Sequence, residues 1–435
     1  MTRGYARYVL VVMVAINFLN YMDRWVAAAA SPIIQKEFDL SDTLIGLLGS
    51  AFLLVYAASA LPFGYWADRG VRKVVIGVGV TIWSIATLFT GFAQNFAHLF
   101  TSRAVLGIGE AGYYPAGTSL LADWFPKEER GRVMSIWGAG STIGIAVGFA
   151  GGGYVADHFG WRTAFFFAAA PGLLCAFLAF QMREPLRGSA EKVGQAVAKT
   201  YDASVGNFVR LMQIPTLRAT ILSQTLLYFV LASNAFWLPI LLHRRFDLTA
   251  SQGGLLAGVV IVLAGLVGTL GGGWIADHYG KDSPKAYLQV GIVGFLVGAV
   301  FIVIALYAPM NAGPIPLFVP AFFVAVVCMY LYAGPFTAIA QAVVSPALRA
   351  SSVTLLLFIS HVFGDSHSTF DIGFLSDHIG SLQTALVITS PTLLVIAAGI
   401  AATGLRTAKP DVDSMEEGWA KRSGSPEAAT VPAPG

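Results

Sequence analysis

Apolar residues fill this chain in long runs separated by short polar breaks. Twelve of the runs reach the ~20 residues that cross about 30 Å of hydrocarbon. They lie at about 8–30, 44–66, 74–97, 99–122, 133–156, 163–182, 219–242, 252–275, 287–308, 316–344, 352–375 and 383–405. Lipid leaves no partner for a free backbone amide, so each run predicts a helix and the fold class is an all-α membrane protein. Four runs end on the same string, Gly-x-x-x-Asp: Gly64 to Asp68, Gly153 to Asp157, Gly273 to Asp277 and Gly373 to Asp377. A second string, Phe38-Asp39-Leu40-Ser41, returns as Phe246-Asp247-Leu248-Thr249. Both repeats recur at roughly 200 residues, so two six-helix halves (1–182 and 218–405) each carry the terminal string twice. Nested repeats in a hydrophobic chain mark a secondary transporter assembled from three-helix units in 3+3 inverted repeats.

Composition agrees. Only 12% of the 435 residues are charged, against about 25% in a soluble domain, and the mean hydropathy is +0.69. Of the 27 Lys and Arg, most fall in the loops on the side that holds both termini. The opposite loops carry Lys36, Arg162, Arg244 and Arg245. By the positive-inside rule both termini are cytoplasmic, and the net charge of +3 reports topology, with no nucleic acid implied. Asp23 and Arg24 interrupt the first run too early for a cleaved signal peptide. Cys175 and Cys328 both lie in predicted spans, so neither a disulfide nor a metal framework follows. No Gly-rich run is followed by Lys and Ser/Thr, so no phosphate loop and no cofactor is implied. The segment 183–217 reads as a polar, partly helical cytoplasmic linker. The tail 406–435, rich in Pro, Gly, Ser and charge, reads as disordered. Short loops point to a bacterial inner membrane, and a monomer is expected.

Polar groups inside the spans carry the candidate chemistry, because a charge at mid-bilayer costs roughly 3 kcal/mol and so tends to face a cavity. Asn17, Asn20 and Arg24 share one face of the first span, with Asp23 beside it. Arg103 and Glu110 are seven residues apart in the fourth span, hence on one face and roughly 10 Å apart along the axis. They are too distant to pair directly without a third group. A carboxylate near a cation in a low-dielectric cavity can exchange its proton as water access changes, which is what proton coupling needs. The eleventh span holds His361, Asp365, His367 and Asp371. As i, i+4 pairs on different faces of a continuous helix they do not converge on a metal ion; a proton or anion site, or polar contacts closing the cavity, is expected. Asp68, Arg69, Arg72 and Lys73 follow the second span, where a carboxylate can pair with cations or a helix N-terminus of the other half and latch one state. Clustered glycines, such as Gly140, Gly144 and Gly148, read as close helix packing.

The string from Gly64 to Lys73 resembles the signature of the major facilitator superfamily between its second and third helices. It departs in placing Gly70 before Val71. Within that superfamily the chain most resembles Spinster-like transporters. The matching pieces are Asn20 to Arg24, Arg103 with Gly107 to Ala111, Gly160 to Arg162, Arg183 to Gly188, Trp237 to Pro239 and His361 to Asp365. The resemblance implies twelve helices, alternating access, and substrates such as lysophospholipids or sphingosine phosphate. It also implies proton linkage through Asp23, Arg103 and Glu110. On this reading a headgroup sits near Arg103 and Glu110, with Asn17, Asn20, Arg24, His361 and Asp365 as further contacts. The acyl chain runs along Tyr228, Phe236 and Trp237. The competing resemblance is to anion:cation symporters of sugar acids, which share the Asn-Tyr-Met-Asp-Arg string. No nucleophile–His–acid set suggests an enzyme.

Overall fold

The computed structural model describes residues 3–186, 205–279, 283–309 and 317–423. Among them every regular element is helical. The first seven helices are α1 (Arg3–Glu37), α2 (Asp42–Arg69), α3 (Arg72–Gly91), α4 (Phe96–Glu110), α5 (Tyr113–Trp124), α6 (Lys127–Phe159) and α7 (Trp161–Gln181). The next six are α8 (Val205–Met212), α9 (Pro215–Phe246), α10 (Ala250–Tyr279), α11 (Lys285–Tyr307), α12 (Phe318–Tyr330) and α13 (Ala333–Ala342). The last four are α14 (Arg349–Ser360), α15 (Ser366–Ile379), α16 (Leu382–Gly404) and α17 (Ala408–Ser423).

Ten spans, with α12 and α13 counted together, are long and apolar enough to cross a membrane among the described residues. The remaining two predicted spans, 99–122 and 352–375, exist but are interrupted. In the first, α4 gives way to α5 at Ala111-Gly112, because Pro115 has no amide to donate to the carbonyl four residues back. Pro335 does the same between α12 and α13. In the second, α14 and α15 are joined by a π-helical turn over His361–Asp365, so the helix is not the continuous α-helix expected there. The spans 99–122 and 352–375 are the ones that carry Arg103, Glu110, His361 and Asp365.

The repeated strings fold alike. All four close the C-terminal ends of helices: α2, α6, α10 and α15. Asp39 and Asp247 adopt positive φ, 51° and 54°, a left-handed turn that short polar side chains tolerate. Gly380 caps α15 in the left-handed region, its N–H reaching the Ser376 carbonyl at 2.8 Å.

The chain forms two compact units. The first comprises Met1–Thr200 with Ala232–Val262 and Asp365–Leu386, so it takes in α1 to α7, parts of α9 and α10, and α15. Its core gathers Met13, Ile16, Trp83, Tyr113 and Trp137. Gly140, Gly144 and Gly148 of α6 press on the Val14, Phe18 and Met22 carbonyls of α1, where an added Cβ would meet backbone oxygen. The second unit comprises Tyr201–Leu231, Leu263–Gly364 and Val387–Gly435. Its buried aromatics include Phe295, Phe322 and Phe336, and Gly268 and Gly272 of α10 meet the Val327 and Leu331 carbonyls.

One expectation, at the C-terminal edge of the chain, changes over Ala408–Ser423. The tail read as disordered forms α17, because Asp411 accepts from the Thr216 amide at 2.9 Å and Ala408 is fully buried. Within the linker, 205–212 is helical as α8, while 187–204 lies outside the described residues, as do 424–435.

Candidate functional site

A polar cluster is buried inside the first unit, where α1 meets α2, α3 and α4. Glu110 is fully buried and accepts from Arg24 Nε at 2.7 Å. The ion-pair partner of Glu110 is therefore Arg24, one turn below Asn20 on α1, and not Arg103. The Arg24 guanidinium lies 5.1 Å from each of the Tyr21, Phe52 and Tyr56 ring centres, so aromatic faces replace part of its hydration. The Arg103 guanidinium lies 5.0 Å from the centre of the same Phe52 ring. Asp23 accepts from the Thr87 hydroxyl of α3.

This cluster is under-satisfied. Asp23 Oδ1, Glu110 Oε1, Arg103 Nη1 and both amide atoms of Asn20 are buried without a hydrogen-bond partner. Asn20 neighbours Glu110 without reaching hydrogen-bond geometry. Buried polar groups are ordinarily paired, and an unmet one costs roughly 1–3 kcal/mol. Five such atoms lie in one place. Arg103 also borders a void of about 20 Å³ whose other walls include Ile45, Leu48, Leu99, Phe165 and Phe236. One charge faces a largely apolar wall.

A second polar assembly ties together helix ends of the same unit, around the duplicated Phe-Asp-Leu turns. Asp42 opens α2 and takes both guanidinium nitrogens of Arg244, one at 2.8 Å. Ser376 donates to it at 2.5 Å and Gln35 at 2.7 Å. Asp377, the last residue of the fourth repeated string, accepts the Asp42 and Thr43 amides at 3.0 and 2.8 Å and the Thr43 hydroxyl at 2.5 Å. Burial acts to raise the Asp377 carboxyl, but the Thr43 hydroxyl and the two amides outweigh it and hold it below its ordinary value. Asp157, from the second string, caps α10 in the same manner through the Ala250 and Ser251 amides, at 3.2 and 2.5 Å. Each carboxylate thus meets the positive end of a helix. Beside these caps, Gly373 meets the Asp42 carbonyl and Gly153 the Ala250 carbonyl.

Strings one and three are in the opposite condition. A Cβ on Gly64 or Gly273 would meet nothing within 4 Å, and Asp68 and Asp277 are exposed. Two of the four repeated aspartates cap a helix and two are exposed.

Other sequence candidates fall in different places. Asn17, read as a substrate contact, binds the Trp137 carbonyl at 2.7 Å and accepts from Tyr113, holding α1 to α5 and α6. Trp237 was expected along an acyl slot. It is fully buried, and its indole donates to the Thr369 carbonyl at 3.1 Å, so it packs beneath the Asp42 assembly. Arg72, grouped with the gating residues, is fully buried and bonds Asp123, Glu184, Ser119 and the Pro185 carbonyl. It anchors its own half and is not free to move. Lys73 donates to the Phe180 carbonyl at 3.1 Å, and Arg69 stacks 3.8 Å from the Tyr65 ring centre. In the second unit, His361 meets Tyr228 edge-on at 5.1 Å. Asp365, the last residue of the π-helical turn, is buried just before α15 and belongs to the first unit. His367 and Asp371 form the expected i, i+4 pair at 2.6 Å, both about two-fifths exposed.

Sequence reasoning missed Gln35, Asp42, Asp157, Arg244, Ser376 and Asp377. The signal was available, since Asp157 and Asp377 are the repeat's own aspartates and Asp42 adjoins the duplicated turn.

Comparison with known proteins follows this geometry. Residues 13–365 match the Major Facilitator Superfamily. The chain is 30% identical over 395 residues to protein spinster homolog 1 of Xenopus laevis, covering 86% of this chain and 74% of that protein. It is 27% identical over 439 residues to a protein of Arabidopsis thaliana named probable sphingolipid transporter spinster homolog 3, covering 90% and 83%. Its fold matches, with a TM-score of 0.82 and 24% identity, the crystal structure of a bacterial homolog to the human lysosomal transporter Spinster in an inward-facing, unoccupied conformation. That match covers 96% of this chain and 99% of the other.

Proposed function

The chain belongs to the Spinster family of the major facilitator superfamily, and from that premise we propose that this transporter is a proton-linked carrier of an amphipathic lipid, lysophospholipid-like or sphingosine-phosphate-like. The observation that carries the substrate class is the wall of Arg103. Arg103 shares the lining of a small void with Ile45, Leu48, Leu99, Phe165 and Phe236, the hydroxyls of Ser31 and Thr90 being the other polar groups there, and a largely apolar lining beside one cation suits a molecule with one anionic end and an apolar chain. A sugar acid would bring more hydroxyls than Ser31 and Thr90, the two hydroxyl side chains in that lining, could satisfy. The Arabidopsis relative's name supports the same class.

Coupling is proposed to run through Arg24. While Glu110 is ionised it holds Arg24. A proton on Glu110 removes that partner and leaves Arg24, one-fifth exposed, to a headgroup phosphate. Asp23, with one oxygen unmet, is the second proton acceptor, and Arg103 sets the field both acids feel. Proton and substrate thus act on one cation, and each binding event changes the affinity for the other. Alternating access follows if Asp68 and Asp277 cap their own helix partners when Asp157 and Asp377 let go. The basic loops support an orientation with both termini cytoplasmic, and the short loops are the support for a bacterial inner membrane.

The test is transport of a labelled lysophospholipid into proteoliposomes under an imposed pH gradient, with Asp23→Asn and Glu110→Gln alongside. Gradient-driven movement is expected in the wild type and a loss of at least tenfold in each variant. Full gradient-driven transport by both variants would remove the proton reading. Transport of a sugar acid, with no lipid movement, would reassign the substrate.

A further inference from the structure

We infer that the groove between the N-terminal ends of α1 and α6 holds one anionic phospholipid from the membrane leaflet on that side, its phosphate on Arg3, Arg7 and Arg132. The groove has a volume of about 550 Å³ and is lined by those arginines with Leu10, Trp124 and Ile136 among its apolar members. None of the three guanidiniums has an ion-pair partner among the described residues. Glu129 is the single acid in the lining, so the cations exceed the anions and a phosphodiester fits the remainder. Arginines at a membrane surface can simply face water, but two features set this place apart. Trp124 is 8% exposed, and its indole N–H donates to no acceptor. The apolar side of the groove also continues outward. Ile136 of the lining is 41% exposed, and Val11, next in sequence to the lining residue Leu10, is 67% exposed, a path for an acyl chain from the headgroup into hydrocarbon. Basic pockets between helices at this depth are where anionic headgroups bind, with Trp as an interfacial anchor.

The site is separate from the transport cluster. Arg7 and Arg24 lie 17 positions apart on one helix, roughly 25 Å at 1.5 Å per residue. The lipid proposed here is a resident of the membrane surface and need not be the transported molecule.

The test is native mass spectrometry of the full chain, delipidated in detergent and titrated with dioleoyl phosphatidylglycerol or its phosphatidylcholine counterpart. Phosphatidylglycerol adducts are expected at least fivefold more abundant. The double variant Arg7→Ala with Arg132→Ala should bring them to the phosphatidylcholine level, while Arg7→Lys with Arg132→Lys retains most of the difference. Equal binding of the two lipids, or no change in the alanine variant, would overturn the inference. So would complete displacement by millimolar inorganic phosphate, which would make this a free-anion site. If the alanine pair does not yield a monodisperse protein, Arg7→Gln and Arg132→Gln singly carry the same reading. The readout is lipid binding, so its failure leaves the carrier function untouched.

Discussion

Two buried arginines show how the same residue type serves opposite ends. Arg72 has four protein partners and no solvent, whereas Arg103 has a buried nitrogen with none. Removing one member of a buried ion pair costs about 3–5 kcal/mol, because the other is left charged and dry. Arg72→Ala should therefore lower the melting temperature of the purified protein sharply, and Arg72→Lys should restore little, since a single ammonium cannot reach Asp123 and Glu184 together with the Ser119 and Pro185 carbonyl positions. Arg103→Gln should leave the melting temperature within a few degrees and abolish lipid transport. If the two variants exchanged these phenotypes, the division between anchor and site would be wrong.

At the scale of helices, small residues set how closely α1 and α6 approach. Gly144 sits against the Phe18 carbonyl, and Gly144→Val should prevent that approach and yield aggregated protein on size-exclusion chromatography. Gly131, which meets nothing within 4 Å, should accept the same change. Much of this scale was legible beforehand. The terminal strings mark the ends of α2, α6, α10 and α15, and the twelve spans fall close to their observed places. The local signals for the breaks were present too, in Pro115 and Pro335. The π turn at His361–Asp365 had none, because inserting one residue into a helix is decided by what packs on it. Here Gly364 presses on the Thr225 carbonyl, with an added Cβ only 2.5 Å away. The pairing of Arg24 with Glu110 was likewise out of reach. Each residue reads as polar within its own span, but which of the two acids and two cations meet is set by helix rotation and depth.

For the whole molecule, the engaged caps define a state, and Asp377 bears on what changes it. Its folded carboxyl titrates below the ordinary value of 3.8. A depressed group contributes stability above its unfolded pKa and loses it only as pH falls through the folded value. Acidification from pH 8 to pH 5 should therefore leave this cap intact. Spin-label distances between the α2 and α15 ends should be constant over that range and lengthen in Asp377→Asn. A distance that shifts with pH in the wild type would place the proton switch at the cap and not at Glu110.

The empty space beside Gly64 and Gly273 turns a methyl group into a bias on a population. A side chain there costs nothing in the present state, yet would collide with a helix end in a state where strings one and three dock as strings two and four do now. Every 1.4 kcal/mol of that collision is a factor of ten in occupancy. Gly64→Ala with Gly273→Ala should thus hold the carrier at one end of its cycle with its binding cluster intact. Such a protein would still bind substrate but could no longer turn over.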